Sequence, residues 1–187
     1  MKYRVIALVG PLASGKGTLI ELLQEKGYES VSLSDEVREK ASIWGLTPTR
    51  ENLQNVGDKL RKSFGLSILA ELVGQKIAKN PKVNFVIDGV RNPGELQYLK
   101  KEFDAYSIGI TASPQKRFAL IKKRKRKGDP LTWEEFKKAE ERDRGVGQES
   151  YGQQVQACLD ASDVVIDNNG TLRQLQTNSS YFLTKIL

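Results

Sequence analysis

A glycine-rich segment near the amino terminus combines residue types suited to phosphate binding. It reads Gly-Pro-Leu-Ala-Ser-Gly-Lys-Gly-Thr and follows an apolar, β-branched segment that predicts a buried strand over residues 4–9. Its glycines would let backbone N–H groups face phosphate oxygens, and a helix beginning here would add partial positive charge. Lys16, expected to be exposed, would reach the β- and γ-phosphates of ATP, and the Thr18 hydroxyl would bind Mg²⁺. The predicted phosphate loop comprises Gly10, Ala13, Ser14, Gly15, Lys16, Gly17 and Thr18.

Asp88 is the second candidate for phosphate chemistry. It ends another apolar segment, residues 83–87, and Gly89 follows it. A carboxylate at the end of a strand can lie beside a phosphate loop and hold Mg²⁺ through water. The alternative is an aspartate that caps the next turn. We therefore predict a metal site formed by Thr18 and Asp88, with ATP and Mg²⁺ as cofactors.

The composition narrows the chemistry that these residues could perform. The 187 residues include no histidine and one cysteine, Cys158, which excludes imidazole acid–base catalysis and an intramolecular disulfide. Phosphoryl transfer survives because it depends on positioning and positive charge more than on a strong base. A formal net charge of +7 indicates an anionic partner. No segment resembles a signal peptide or membrane span, so we expect a cytoplasmic protein without a membrane partner.

The elements that must position these residues alternate between strand and helix. Apolar segments predict strands over residues 4–9, 28–33, 83–87, 106–110 and 163–166, with helical patterns between them. Such alternation is typical of βαβ units and a parallel sheet. Two highly charged segments, about 36–79 and 119–147, interrupt this pattern and are called here the insert and the lid. The helices of the insert are expected to break near Phe64 and Gly65.

The loop resembles that of adenylate kinase and other nucleoside monophosphate kinases, which have Gly-Lys-Gly-Thr where the general pattern has Ser or Thr directly after Lys. From residue 2 to about 175, the chain resembles P-loop kinases of the adenylate kinase and dephospho-CoA kinase group. It is most similar to a largely archaeal family related to adenylate kinase. That family has segments similar to Asp88–Arg91, Arg117-Phe118, Trp133–Phe136 and Glu141–Asp143. The segment around residues 88–95 also resembles phage-type deoxynucleoside monophosphate kinases.

The resemblance implies residues that bind the phosphate acceptor. Adenylate kinases carry an Asp-Gly-x-x-Arg segment whose arginine binds the acceptor phosphate, and Arg91 is the counterpart here at a spacing shorter by one residue. Asp35 and Arg38 resemble the Asp-x-x-Arg segment that enters the acceptor-binding helices of these kinases. Asp35 also resembles the base of dephospho-CoA kinases, and Arg38 would bind an acceptor phosphate through two hydrogen bonds. The alternatives are a surface ion pair for Arg91, a helix cap at Ser34 or Asp35, and a solvated Arg38.

The lid contains six consecutive cations, residues 122–127. A solvated helix face and a nucleic-acid patch are the alternatives to a kinase lid, which we favour. Arginines precede and follow the Gly128-Asp129-Pro130 turn, in an arrangement that resembles a lid closing onto the transferring phosphoryl group. They are Arg124 and Arg126 on one arm and Arg142 and Arg144 on the other, with Arg124 and Arg142 as the catalytic candidates.

The tail resembles the last strand and turn of dephospho-CoA kinases, which lie beside the adenine. Asn168 and Gly170 would then contact the base through backbone groups, although a plain strand–helix turn explains them equally well.

These patterns together predict an α/β fold, a three-layer P-loop NTPase sandwich. Its five-stranded parallel sheet would have the order 2-3-1-4-5, with the core at about residues 1–35, 80–118 and 148–187. The expected function is transfer of the γ-phosphoryl of Mg-ATP to a small, nucleotide-like acceptor, a nucleoside or deoxynucleoside monophosphate. One alternative is dephospho-CoA kinase, although Asp-Gly-Val-Arg stands where that enzyme has an acidic, leucine-rich strand end. The other is a nucleotide-dependent regulatory protein that binds nucleic acid.

Overall fold

The computed structural model describes residues 3–124 and 128–187. Within these ranges the strands are β1 (Val5–Val9), β2 (Tyr28–Ser32), β3 (Asn84–Val90), β4 (Tyr106–Thr111) and β5 (Val164–Asp167). They form one parallel sheet in the order β2-β3-β1-β4-β5. The predicted sheet and its strand order are therefore confirmed.

Helices cover both faces of the sheet. They are α1 (Lys16–Gln24), α2 (Leu33–Ile43), α3 (Arg50–Phe64), α4 (Ile68–Ala78), α5 (Pro93–Phe103), α6 (Pro114–Arg124), α7 (Trp133–Arg144), α8 (Val155–Asp160) and α9 (Leu172–Ile186). The break predicted inside the insert occurs at Gly65, which ends α3 with a φ of 107° that glycine adopts without strain. Helix α8 was not predicted, since its six residues are too few to show a helical period.

The central strand explains why the sheet has two cores. All five residues of β1 are 0% exposed, and alternate side chains point to opposite faces. Val5, Ala7 and Val9 pack in a cluster with residues of α2, α3, α4, α5 and α8. Ile6 and Leu8 pack in a second cluster with residues of α1 and α9. The result is a three-layer sandwich in which the ends of β1 and β3 meet at one edge.

Helices α6 and α7 pack against each other through aromatic rings. The ring centroid of Phe118 lies 5.3 Å from that of Trp133 and 5.4 Å from that of Phe136. A capping box between Thr132 and Glu135 begins α7. None of the described helices combines the length and apolarity that crossing a bilayer requires.

Candidate phosphate-transfer site

Two glycines of the phosphate loop, Gly10 and Gly15, are packed so tightly that neither can be replaced freely. Gly10 has a φ of 151°, and a Cβ there would collide with the carbonyl oxygen of Ile110. Gly15 has a φ of 115°, and a Cβ there would lie 2.5 Å from Nδ2 of Asn168. Ala13 also adopts a left-handed conformation, with a φ of 60°. The loop is therefore held in a fixed, unusual backbone shape directly before α1, as phosphate binding requires.

Lys16 lies inside this loop rather than exposed on it, in contrast to the expectation from sequence. Its Nζ donates hydrogen bonds to the carbonyl oxygens of Gly10 (2.8 Å) and Pro11 (3.2 Å). The side chain is 12% exposed because the loop wraps around it. Burial lowers the pKa of Lys16 to about 8, and the nearby Asp88 carboxylate opposes that shift. The buried ammonium group can exchange these carbonyl contacts for phosphate oxygens.

Asp88 faces Lys16 from the end of β3. Its Oδ1 lies 4.0 Å from Nζ of Lys16 and is buried without a hydrogen-bond partner among the described residues. A buried carboxylate oxygen without a partner is costly, and a hydrated cation would satisfy it. Mg²⁺ is commonly held by one or two carboxylates together with substrate phosphates. The residues present therefore fit the predicted ion, with Thr18 in the first turn of α1 as the second candidate.

Arg91 lies at the same edge and takes part in a buried cluster. Its Nη1 donates to Oδ2 of Asp143 at 3.2 Å, and Arg50 donates to the same oxygen from α3. Asp143, in α7, is 1% exposed. Burial alone would raise the pKa of Asp143, but Arg50 and Arg91 hold it below its usual range. Arg91 is thus an ion-pair residue here, although the pair is buried rather than on the surface.

Arg50 and Asp143 belong to the site, although no pattern in the sequence predicts them there. They are 93 positions apart, so no local spacing connects them. The one available signal was the Glu-Arg-Asp segment of the resemblance, which was not assigned a role.

Asp35 and Arg38 share one face of α2, as their spacing predicts. Nη1 of Arg38 donates to Oδ1 of Asp35 at 2.8 Å, and the two side chains are 41% and 68% exposed, respectively. The suggested cap at Ser34 or Asp35 is wrong, because the Ser32 side chain accepts the hydrogen bond from the backbone N–H of Ser34. Ser32 is paired with Asp88 in the sheet, so α2 begins beside the candidate metal site.

The two catalytic candidates of the lid do not meet in this structure. Arg124 donates two hydrogen bonds of 2.7 Å to Asp129 within the lid itself. Arg142 instead contacts Asn55 (2.7 Å) and Asp58 (2.8 Å) of α3. Each arginine is thus engaged by acidic or amide side chains that lie outside the phosphate loop. Arg126 lies outside the described residues.

Arg117, in α6, reaches the phosphate loop, although its position in the sequence predicts no role for it. It is 2% exposed. Its guanidinium donates to the carbonyl oxygens of Leu12 (3.3 Å) and Ala112 (2.9 Å) and pairs with Glu140 of α7. Arg117 therefore connects α6, α7 and the phosphate loop.

The Asn168 side chain donates a hydrogen bond to the phosphate loop, whereas the sequence predicts a contact between its backbone and an adenine base. Its Nδ2 donates to the carbonyl oxygen of Ser14 at 2.8 Å, and its backbone N–H donates to the carbonyl of Thr111. Lys116 donates to the carbonyls of both Asn168 and Gly170. The backbone N–H of Asn168 and the carbonyls of Asn168 and Gly170 are therefore engaged within the protein.

The lowered pKa of Lys16 predicts pH-dependent ATP binding. Above its pKa of about 8, most free molecules carry a neutral lysine, whereas nucleotide phosphates favour the ammonium form. ATP affinity should therefore fall as the pH rises through about 8, with proton uptake on binding. Calorimetric titrations in buffers of different ionisation enthalpy measure both. The Lys16→Arg variant stays charged, so its ATP affinity should not change with pH in this range. A pH dependence that persists in this variant would contradict the assignment of the titrating group to Lys16.

Comparisons with known proteins identify the family to which the chain belongs. A family model described as an AAA domain matches residues 9–137. Over 188 residues the chain is 32% identical to a UPF0200 protein of Pyrococcus horikoshii, with 98% of this chain and 97% of the relative covered.

Solved structures share the fold at low identity. A dephospho-CoA kinase from Campylobacter jejuni aligns with a TM-score of 0.50 and 17% identity, covering 98% of this chain and 97% of that one. A gluconokinase from Sinorhizobium meliloti aligns with a TM-score of 0.56 and 14% identity, covering 97% and 92%. The chain therefore belongs to the AAA-domain family and to the UPF0200 proteins, and its fold is that of the P-loop kinases.

Proposed function

We propose that this protein transfers the γ-phosphoryl group of Mg-ATP to a nucleoside or deoxynucleoside monophosphate. The observation that carries the proposal is the convergence of two anion-binding features at one sheet edge. The phosphate loop with Lys16 forms the first, and the arginines around Asp143 form the second. Asp88 lies 4.0 Å from Lys16, and Arg91, three residues after Asp88, contacts Asp143 at 3.2 Å, so the two features adjoin.

The donor side consists of the loop and the end of β3. Loop N–H groups and Lys16 would bind the β- and γ-phosphates and stabilise the charge that spreads over the transferring group. Thr18 and Asp88 would hold Mg²⁺, which neutralises phosphate charge when bound. This arrangement needs no histidine, because positioning and positive charge supply most of the catalysis.

The acceptor side consists of cations carried by separate elements. Arg91 follows β3 three residues after Asp88, so it would hold the acceptor phosphate next to the γ-phosphoryl group. Arg38, with Asp35, would contact the acceptor from α2. Helix α7 packs over the insert and would exclude water, which favours transfer over hydrolysis. The lid arginines Arg124 and Arg142 would need to exchange their present partners to reach the phosphoryl group.

A panel of acceptors tests the proposal. ADP formation is measured with Mg-ATP and each of the nucleoside monophosphates, the deoxynucleotides, dephospho-CoA and small phosphorylated metabolites. Stimulation by one or a few monophosphates supports the proposal. Stimulation by dephospho-CoA alone would instead identify the protein as a dephospho-CoA kinase. Slow hydrolysis without any acceptor dependence, together with salt-sensitive RNA or DNA binding, would favour a regulatory nucleic-acid-binding protein instead.

Arg91→Ala should impair use of the acceptor far more than binding of ATP. The arginine lies on the acceptor side, whereas loop amides and Lys16 hold the donor. We expect the acceptor KM to rise or kcat to fall by about tenfold or more, since charged hydrogen bonds contribute roughly 1.5–3 kcal/mol. Steady-state kinetics at varied acceptor, with ATP affinity measured separately, gives both values.

The matched control is Arg4→Ala, which removes an arginine from the opposite edge of the sheet, where it contacts the carbonyls of Asn80 and Val83. Its acceptor KM should stay unchanged. Loss of ATP binding in Arg91→Ala with unchanged acceptor dependence would reverse the proposed order of the two subsites.

A further inference from the structure

The carboxylate of Asp143 is bound by the protein in the manner of a small anion. Its Oδ2 accepts from Nη2 of Arg50 at 2.5 Å and from Nη1 of Arg91 at 3.2 Å. Its Oδ1 accepts from Nε2 of Gln54 at 3.0 Å. Two guanidinium groups and an amide around one set of oxygens form a constellation that also suits a phosphate monoester.

The donors have capacity for a larger anion than a carboxylate. Nε of Arg50 is buried and has no acceptor among the described residues. A carboxylate offers two oxygens, whereas a phosphate monoester offers three and a second negative charge. Arg50 and Arg91 together match that charge better than they match a single aspartate.

Two of the residues that donate to Asp143, Arg91 and Gln54, also make hydrogen bonds that do not involve Asp143. Oε2 of Glu95 accepts from the backbone N–H of Arg91 at 2.8 Å, and Oε1 accepts from Nε of Arg61 at 2.8 Å. Nε2 of Gln54 also donates to Gln153 at 2.9 Å. Helix α7 therefore supplies the anion, while other elements supply the groups that bind it and hold Gln54 and the backbone of Arg91 in place.

We propose that Asp143 occupies the acceptor-phosphate subsite of the ligand-free protein, and that a phosphate monoester replaces it there and weakens the attachment of α7 to α3. Besides Asp143, Arg142 joins these helices through Asn55 and Asp58. The ligand class rests on the proposed function, whereas the exchange itself is a binding property. Release of α7 from this resting contact is then coupled to the phosphate of the acceptor, so that α7 is free to move onto the bound substrates, and an unphosphorylated nucleoside would not trigger the release.

Titration with inorganic phosphate tests this exchange, because the exchange predicts that Asp143→Asn raises the affinity for phosphate. In the ligand-free protein Asp143 fills the subsite. The apparent affinity for an added anion is therefore the intrinsic affinity multiplied by the fraction of molecules in which Asp143 has left the subsite. Asp143→Asn weakens the competitor, so phosphate should bind about tenfold more tightly or better, measured by calorimetry and by the rise in Tm with phosphate. A residue that merely orients the arginines would give the opposite result, weaker binding.

Two further variants assign the effect to the subsite. Glu141→Gln removes the same charge from an exposed position of α7 and should leave phosphate affinity unchanged. Adding Arg91→Gln to Asp143→Asn should abolish the gain, which separates this subsite from phosphate bound at the loop. Unchanged or weaker binding in Asp143→Asn, or a gain that survives Arg91→Gln, would overturn the proposal.

The wild-type protein provides a readout that needs no variant. Phosphate should accelerate backbone amide exchange in the carboxyl-terminal half of α7, since the exchange of anions weakens its contact with α3. Slower or unchanged exchange there would overturn the proposal even if Asp143→Asn failed to fold. Both measurements are independent of turnover, so absence of kinase activity would reject the proposed function and leave this result standing.

Discussion

Lys16→Ala is expected to lower the rate of ATP-dependent phosphoryl transfer by about 10²-fold or more. In the proposed reaction, the lysine ammonium group lies where negative charge develops on the transferring phosphoryl group. The fold should remain intact, because among the described residues Lys16 donates hydrogen bonds only to the carbonyls of Gly10 and Pro11 in its own loop. Initial rates of ADP formation at saturating acceptor, together with a urea denaturation curve, measure the two effects.

The control for this change is Lys82→Ala, which removes an exposed lysine that precedes β3 at the opposite edge of the sheet. That variant should keep the wild-type rate. A folded Lys16→Ala protein with near wild-type turnover would reject the assignment of the phosphate loop.

Of the variants proposed here, Arg117→Ala should cause the largest decrease in the free energy of unfolding. The guanidinium is buried and satisfies two carbonyl oxygens and Glu140, so its removal leaves a largely buried carboxylate and the Leu12 carbonyl without their partner. Breaking a buried ion pair from one side costs about 3–5 kcal/mol in free energy of unfolding. Urea denaturation followed by circular dichroism should show the midpoint moving to lower denaturant with little change in the slope.

Arg124→Ala is the matched control for stability, since it removes an arginine from the same helix. Its side chain is 35% exposed and paired with Asp129, so it should cost no more than about 1 kcal/mol. Equal losses in the two variants would contradict the structural role assigned to Arg117.

The sheet could be predicted because its signals are local. The strand over residues 5–9 is a continuous apolar run that ends at a glycine. The helix that follows begins within the phosphate-loop motif, which lies between a strand and a helix. Alternation of strands and helices then predicts parallel order. The break at Gly65 was visible for the same reason, as one residue determines it.

The part of the site that escaped prediction consists of contacts between distant segments. Arg50 and Asp143, or Lys116 and Gly170, come together only when the insert, the lid and the tail are folded against the core. Arg142 was assigned to the phosphoryl group, yet Asn55 and Asp58 of the insert hold it instead. Which of many arginines meets which carboxylate depends on tertiary packing, and a charged run carries no signal of it.

The fate of the γ-phosphoryl group tests the central claim most directly. The protein is incubated with ATP labelled at the γ-phosphate, Mg²⁺ and a mixture of nucleoside and deoxynucleoside monophosphates, and the products are separated. We predict that the label appears in a nucleoside diphosphate and that Lys16→Ala abolishes its appearance. Label recovered only as inorganic phosphate, at a rate that the monophosphates do not change, would contradict the account.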